Sequence, residues 1–296
     1  MARKAGKTPE QRKAEAEALH ARLAEQVEAL ATSDAWNRFL TFAQSFHTYS
    51  LNNVLLILSQ RPDASRVAGF RQWRAKGRQV RKGEKGIKIL GYSTKKVTDQ
   101  DENGDETERV LHRFPILTVF DIGQTEPIEG VEQIDDLTAH VEGDDVAGIT
   151  GTVTAWLLEQ GWSIDIEPID GPTNGYTTTD GTRRVIIDSA LAAAQAAKTT
   201  LHEAAHVILH SDEPISDYIE HRGVKETEAE SVAYVVAGLA GLDTSAYSVG
   251  YVAGWANGDA TLIRTTAENV MRAVHILAPL VDHEGVSTAP ESTSPA

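Results

Sequence analysis

The sequence predicts an α+β protein of two domains, a mixed α/β front followed by a mainly helical back with a small β-sheet. Three observations point there: 296 residues is about two domains' worth of chain, helix-period and strand-period segments alternate in the front half, and long helical patterns dominate after residue 190. With 41% hydrophobic and 24% charged residues the composition is that of a globular protein, and the absence of cysteine excludes disulfides, thiolate metal ligands and catalytic thiols. Any metal would rest on His, Asp or Glu. The start MARKAGKTPEQRK has no apolar core of a signal sequence, and no run of 18 apolar residues occurs, so a cytoplasmic protein without membrane partners is expected.

Residues 1–8 are expected to be disordered. From 9 to 31, Leu19, Leu23, Val27 and Leu30 recur at helical spacing among Glu, Arg and Ala. Ser33 and Asp34 offer an N-cap for a second helix through Trp36, Phe39 and Phe42. Leu51 to Leu58 is the apolar part of a third, which Arg61-Pro62 ends. A short helix around Phe70 to Lys76 precedes the turn Lys82-Gly83-Glu84-Lys85-Gly86 and a strand Ile87 to Tyr92. The polar run Thr98 to Glu108, centred on Asn103-Gly104, reads as the tip of a hairpin between strands ending near Lys96 and resuming at Val110. A strand Ile116 to Phe120 closes the first domain, 9–126, and residues 127–140, poor in apolar anchors, are the expected linker.

The second domain, 141–283, opens with a helix near Val146 to Gln160 and a strand near Ser163 to Glu167. A hairpin Tyr176–Thr179 and Thr182–Ile187 turns at Asp180-Gly181, and helices follow at about 190–210, 224–240, 246–256 and 260–281. The Ser/Thr/Pro-rich residues 284–296 are expected to be disordered.

Charge divides the chain as sharply as pattern does. Residues 1–100 hold 19 Lys and Arg against nine Asp and Glu, a net +10, whereas residues 101–296 carry a net −25 within the overall −15. A basic front suggests a polyanionic partner, unless it is a solvated face or docks on the acidic half. Between Arg66 and Lys96, 11 cationic residues face one acid, Glu84, and are interleaved with Phe70, Trp73 and Tyr92, a composition that pairs phosphate neutralisation with stacking surfaces. Phe70 and Trp73 are equally readable as core residues of a short helix.

The sharpest chemical signal is His202-Glu203-Ala204-Ala205-His206 in a helical context. Two His at i and i+4 lie on one helix face, so both imidazoles can reach one Zn2+ while Glu203 handles a water beside it. A catalytic zinc needs a third protein ligand. The extended pattern would place Gly at Leu209 and a ligand at Asp212, and it is not matched. His210, about 12 Å along the helix from His202, is too distant to share its ion. On the next helix Glu226 and Glu230 share a face one turn apart, whereas Glu228 points elsewhere; Glu226 is the expected ligand and Glu230 the group that orients a ligand His, with Glu230 as substitute ligand or an exposed acidic face as alternatives.

This pattern resembles the gluzincins, thermolysin-like zinc metallopeptidases in which a Glu on the following helix is the third ligand; the interval from His206 to Glu226 is 20 residues, and Glu230 stands where Asp is more usual. The resemblance implies peptide-bond hydrolysis, with Glu203 taking a proton from a zinc-activated water and delivering it to the leaving amine. Tyr218, His221 or Arg222 could stabilise the oxyanion.

A second resemblance covers residues 10 to 126. Tyr49-Ser50-Leu51-Asn52-Asn53, Gln60-Arg61-Pro62, Gly69-Phe70-Arg71-Gln72-Trp73, Gly77-Arg78-Gln79-Val80, Lys82 to Ile87 and Phe120 to Thr125 are together similar to the N-terminal single-stranded-DNA-binding domain of ArdC-type antirestriction proteins. That family also carries a C-terminal zincin-like domain. The resemblance implies carriage on mobile elements and protection of entering single-stranded DNA from restriction. On this reading Arg78, Lys82, Lys85 and Lys88 meet phosphates, Trp73, Phe70 and Tyr49 stack on bases, and Asn53 contacts DNA on the strength of the resemblance. The partners are then single-stranded DNA and an unidentified protein or peptide substrate. The alternatives are an antirestriction DNA-binding protein whose metal site is structural or vestigial, and a peptidase whose basic segment recognises an acidic protein.

Overall fold

A computed structural model describes residues 8–100, 106–129, 146–213, 221–242 and 259–281. The chain divides into two compact units, one made of residues up to Gln26 and Asn52–Asp135, the other of Val27–Leu51 and Asp136–Val286. The chain is α+β: helices and small sheets alternate in the first unit, and helices dominate the second.

Helix α1 spans Pro9–Ala29, where the apolar spacing placed it, and Leu19, Leu23 and Val27 are buried. Thr8 accepts from Gln11 N at its start. The predicted helix over 246–256, most of the linker and both terminal segments except Thr8 lie outside the described residues.

In the first unit α3 (Leu51–Gln60) supplies the buried row Val54, Leu55, Leu56 and Ile57. β1 (Val67–Gly69), β6 (Ile116–Asp121) and β3 (Ile87–Leu90) form an antiparallel sheet in the order β1-β6-β3. Two side-chain amides of α3 occupy the open edge of β3. Asn53 donates to Leu90 O (2.8 Å) and accepts from Leu90 N (2.9 Å), while Gln60 donates to Lys88 O (2.9 Å) and accepts from Lys88 N (3.0 Å). Each amide presents a donor and an acceptor as a neighbouring strand would, which satisfies backbone groups that an uncovered edge leaves open. Asn53, expected to contact DNA, is thus a buried fold-former.

A second keystone is Asp121. Its carboxylate accepts from Ser65 N, Arg66 N and Gly123 N at 2.9, 3.1 and 2.7 Å. Gln124 accepts from Asp121 N and donates to Lys85 O and Glu84 Oε2. A Cβ on Gly123 would lie 2.8 Å from Asp121 Oδ2, so the tight turn needs glycine. The short helix α4 (Phe70–Ala75) buries Trp73, and β2 (Arg78–Val80) pairs with β7 (Thr125–Pro127). The hairpin strands β4 (Ser93–Gln100) and β5 (Glu106–Arg113) run further toward the tip than the expected limits of Lys96 and Val110, because the backbone ladder persists into polar sequence.

In the second unit α2 (Ser33–Ser45) begins at an N-cap one residue earlier than expected: Thr32 Oγ1 accepts from Ala35 N. α5 (Val146–Glu159) leads to a three-stranded sheet in the order β8-β10-β9, in which β10 (Arg184–Asp188) runs parallel to β8 (Ser163–Glu167) and antiparallel to β9 (Gly175–Thr177). The parallel pairing was not evident in the sequence. Helices α6 (Ala193–His210), α7 (Arg222–Leu239) and α8 (Ala260–Val281) complete the unit. α6 and α7 pack along one another, and α2 lies on α7, where Trp36 Nε1 donates to Ser231 Oγ at 3.0 Å. No helix among the described residues is long and apolar enough to cross a membrane.

Candidate metal centre

α6 is amphipathic in a particular sense: Ala197, Leu201, Ala204 and Ala205 bury one side, and His202, Glu203 and His206 look into a cleft of about 720 Å³. The small alanines let α7 approach closely enough for its carboxylates to meet the imidazoles. His202 Nε2 and His206 Nε2 lie 3.1 Å apart, and Glu226 Oε2 lies 3.4 Å from the first and 3.9 Å from the second. Among the described residues these three form the group able to hold a metal, with ligand atoms within 4.8 Å of one another. A tetrahedral ion with bonds of about 2.0–2.1 Å sets its ligand atoms roughly 3.3 Å apart, so the spacing and the N/O donor set fit a divalent cation.

The surroundings hold this geometry. His202 Nδ1 lies 3.2 Å from Glu230 Oε2, and since a carboxylate only accepts, Nδ1 carries the hydrogen of that bond while Nε2 faces Glu226 and His206. Lys198 Nζ meets the other oxygen of Glu230 at 2.6 Å. Burial works to neutralise His202, but hydrogen bonds to Glu226 and Glu230 outweigh it and raise its pKa to about 9. Burial likewise opposes the charge of Glu230, and its bonds to His202 and Lys198 prevail and hold its pKa below the usual value. The site is built to accept positive charge.

Glu203 is buried, and Thr177 on β9 donates to its Oε2 at 2.8 Å. That contact was missing from the sequence reading, since nothing in a lone threonine 26 residues away signals it. His210 takes no part in the group: its Nε2 lies 3.3 Å from the buried Glu228, whose other oxygen accepts from Asn269 at 2.9 Å. Burial lowers the pKa of His210 to about 3 and raises that of Glu228 to about 7, moving both toward their neutral forms. Asp212 and Arg222 line the cleft, Leu209 is buried, His221 is exposed, and Tyr218 lies outside the described residues.

The residues expected to meet DNA are distributed unevenly. Trp73 is 1% exposed and donates to Phe120 O at 2.8 Å, and Tyr49 is 6% exposed with its ring edge against Phe46. Neither offers a ring face to a base, which corrects their assignment as stacking residues. Phe70 is half exposed. Arg78 is turned inward to Thr125 Oγ1 at 2.7 Å and Lys88 is bonded to Thr118 Oγ1 at 2.6 Å, whereas Lys82 and Lys85 are exposed.

Residues 13–121 match the family described as the N-terminal domain of anti-restriction factor ArdC. An uncharacterized protein of Bacillus anthracis is 25% identical over 247 residues, a match covering 72% of this chain and 42% of that protein, so the chain spans less than half of its relative's length. The metal-free crystal structure of antirestriction protein ArdC from plasmid R388 aligns with a TM-score of 0.47 at 21% identity, covering 79% of this chain and 85% of that one. Its Mn(II)-bound structure gives 0.44 at 20% identity, with 79% and 90% covered.

Proposed function

We propose, for an ArdC-like chain whose residues 13–121 match the ArdC N-terminal domain, a single-stranded-DNA-binding protein of antirestriction type whose second unit is a zinc metallopeptidase domain. The observation that carries the enzymatic part is the convergence of His202 Nε2, His206 Nε2 and the Glu226 carboxylate in a cleft that also contains Glu203.

His202, His206 and Glu226 hold the metal, and Glu230 with Lys198 fixes the imidazole of His202. Zn2+ bound there supplies a Lewis acid that polarises a peptide carbonyl and acidifies water. Glu203 performs the proton transfers. Its Oε2 is engaged by Thr177, which leaves Oε1 to take a proton from the attacking water and hand it to the departing amide nitrogen as the C–N bond breaks. The basic front binds the strand, with the exposed Lys82 and Lys85 as phosphate contacts and Phe70 as a stacking contact, in a salt-sensitive and sequence-tolerant manner.

The test pairs metal content with cleavage. Purified full-length protein should bind one Zn2+ by mass spectrometry of the native state, and His202→Ala or His206→Ala should lose it. Glu203→Gln should keep the metal and lose about a hundredfold or more of the hydrolysis of a peptide library. A Glu203→Gln variant that still protects incoming DNA from restriction in cells would assign the metal a structural role and remove proteolysis from the reading.

A further inference from the structure

On an antiparallel ribbon alternate residues face the same way, and the register Thr94↔His112 and Lys96↔Val110 sets these four on one face of the β4–β5 hairpin. Tyr92 and Phe114 continue that face just outside the ladder. All six side chains are exposed, with Tyr92 at 51% and Phe114 at 66%. The rings are organised rather than scattered. Tyr92 stacks on His112 with centroids 5.7 Å apart and an interplanar angle of 28°, and it lies 5.7 Å from Phe114. A hydrogen bond of 2.6 Å between Tyr92 Oη and His112 Nδ1 fixes the pair.

An ordered aromatic surface facing water is not explained by packing, and such surfaces mark binding sites. Its charge indicates the occupant. Lys96 lies on the same face, Lys95 and Arg113 are exposed along the same ribbon, and neither 92–96 nor 110–114 contains an acid. Flat rings that accept a π-face, with Lys95, Lys96 and Arg113 beside them on the ribbon, are complementary to unstacked bases on a phosphate chain. Duplex DNA, with its bases already stacked inward, cannot use them.

We propose that Tyr92, His112 and Phe114 form the base-stacking platform for single-stranded DNA, with Lys96 beside it on the phosphates. The proposal rests on the single-strand reading above and replaces the buried Trp73 and Tyr49 with rings that a base can reach.

The test measures anisotropy of a fluorescein-labelled dT20 strand, and of an abasic strand of equal length, titrated with full-length protein across a NaCl series. Tyr92→Ala/Phe114→Ala should bind dT20 roughly tenfold or more weakly, with an unchanged salt slope because no phosphate contact is lost. The wild type's preference for dT20 over the abasic strand should fall severalfold in that variant, while Phe114→Trp should retain it. Circular dichroism melts of the variants should match the wild type, since both rings are on the surface. Double-variant binding equal to wild type, or an equal loss on the abasic strand, would overturn the platform and leave single-strand binding standing. Failure of the wild type to bind dT20 at all would instead overturn the single-strand reading, and the platform with it.

Discussion

At Glu203 a single hydroxyl, that of Thr177, holds one of the two carboxylate oxygens. Thr177→Val keeps the volume and removes the donor, so the metal should remain while turnover in the peptide assay falls roughly tenfold or more, the consequence of losing one hydrogen bond to a charged group. Glu230→Gln acts one residue away from the ion. It takes the anion from His202 Nδ1 and from Lys198, and competition with a chelator should show zinc affinity reduced about ten- to a hundredfold. Tyr49 supplies a pH signature outside the site. Burial raises its phenol to about 12 from the ordinary 10, so between those values the folded chain keeps a proton that the unfolded chain has released. Stability therefore falls as pH rises above 10, and Tyr49→Phe removes that loss. The Tm difference between Tyr49→Phe and wild type should be flat below pH 10 and grow in favour of the variant above it.

Pairs of elements carry the next level of order. α2 and α7 meet through Trp36, which is 1% exposed and bonded to Ser231, and through Gly238, where a Cβ would lie 2.3 Å from Gln44 Nε2. Trp36→Ala should cost about 3–5 kcal/mol in urea unfolding, since it removes a large buried ring and strands the Ser231 hydroxyl. Strand β9 meets α6 at Gly175, whose added Cβ would lie 2.7 Å from Thr199 and 2.8 Å from Ile186 O; Gly175→Ala should push β9 outward and lower peptide turnover by displacing Thr177. This level also explains what was legible beforehand. Helices announce themselves by period, and fixed spacing on two of them made the approach of His202, His206 and Glu226 readable. Three-residue strands such as β2 and β7 are too short to carry a period and exist because distant segments pair. The residues that marked the family resemblance, Asn53, Gln60, Trp73, Asp121 and Gln124, tie backbone to backbone, and for that reason they identify a fold without identifying the surface that binds.

For the molecule as a whole, the three residues that could hold a metal, His202, His206 and Glu226, lie in one of the two compact units. Zinc at a hundred times its Kd should stabilise that unit by about 2.7 kcal/mol, and calorimetry should show its share of the heat absorption moving upward while the remainder stays in place. The cations gather in the first 100 residues and the acids behind them, a boundary that does not coincide with that of the two units. Nor does the polypeptide pass from one unit to the other only once: Val27–Leu51, with Trp36, Phe39 and Leu40, belongs with the unit that contains His202, His206 and Glu226 although it precedes most of the basic stretch. The gene is accordingly not a row of two interchangeable cassettes. A recombinant that exchanges everything before residue 136 inherits an α2 matched to a stranger's α7, whereas one that exchanges only 52–135 leaves that pair of heirlooms together, and of the two chimeras the second should be the one that stays soluble.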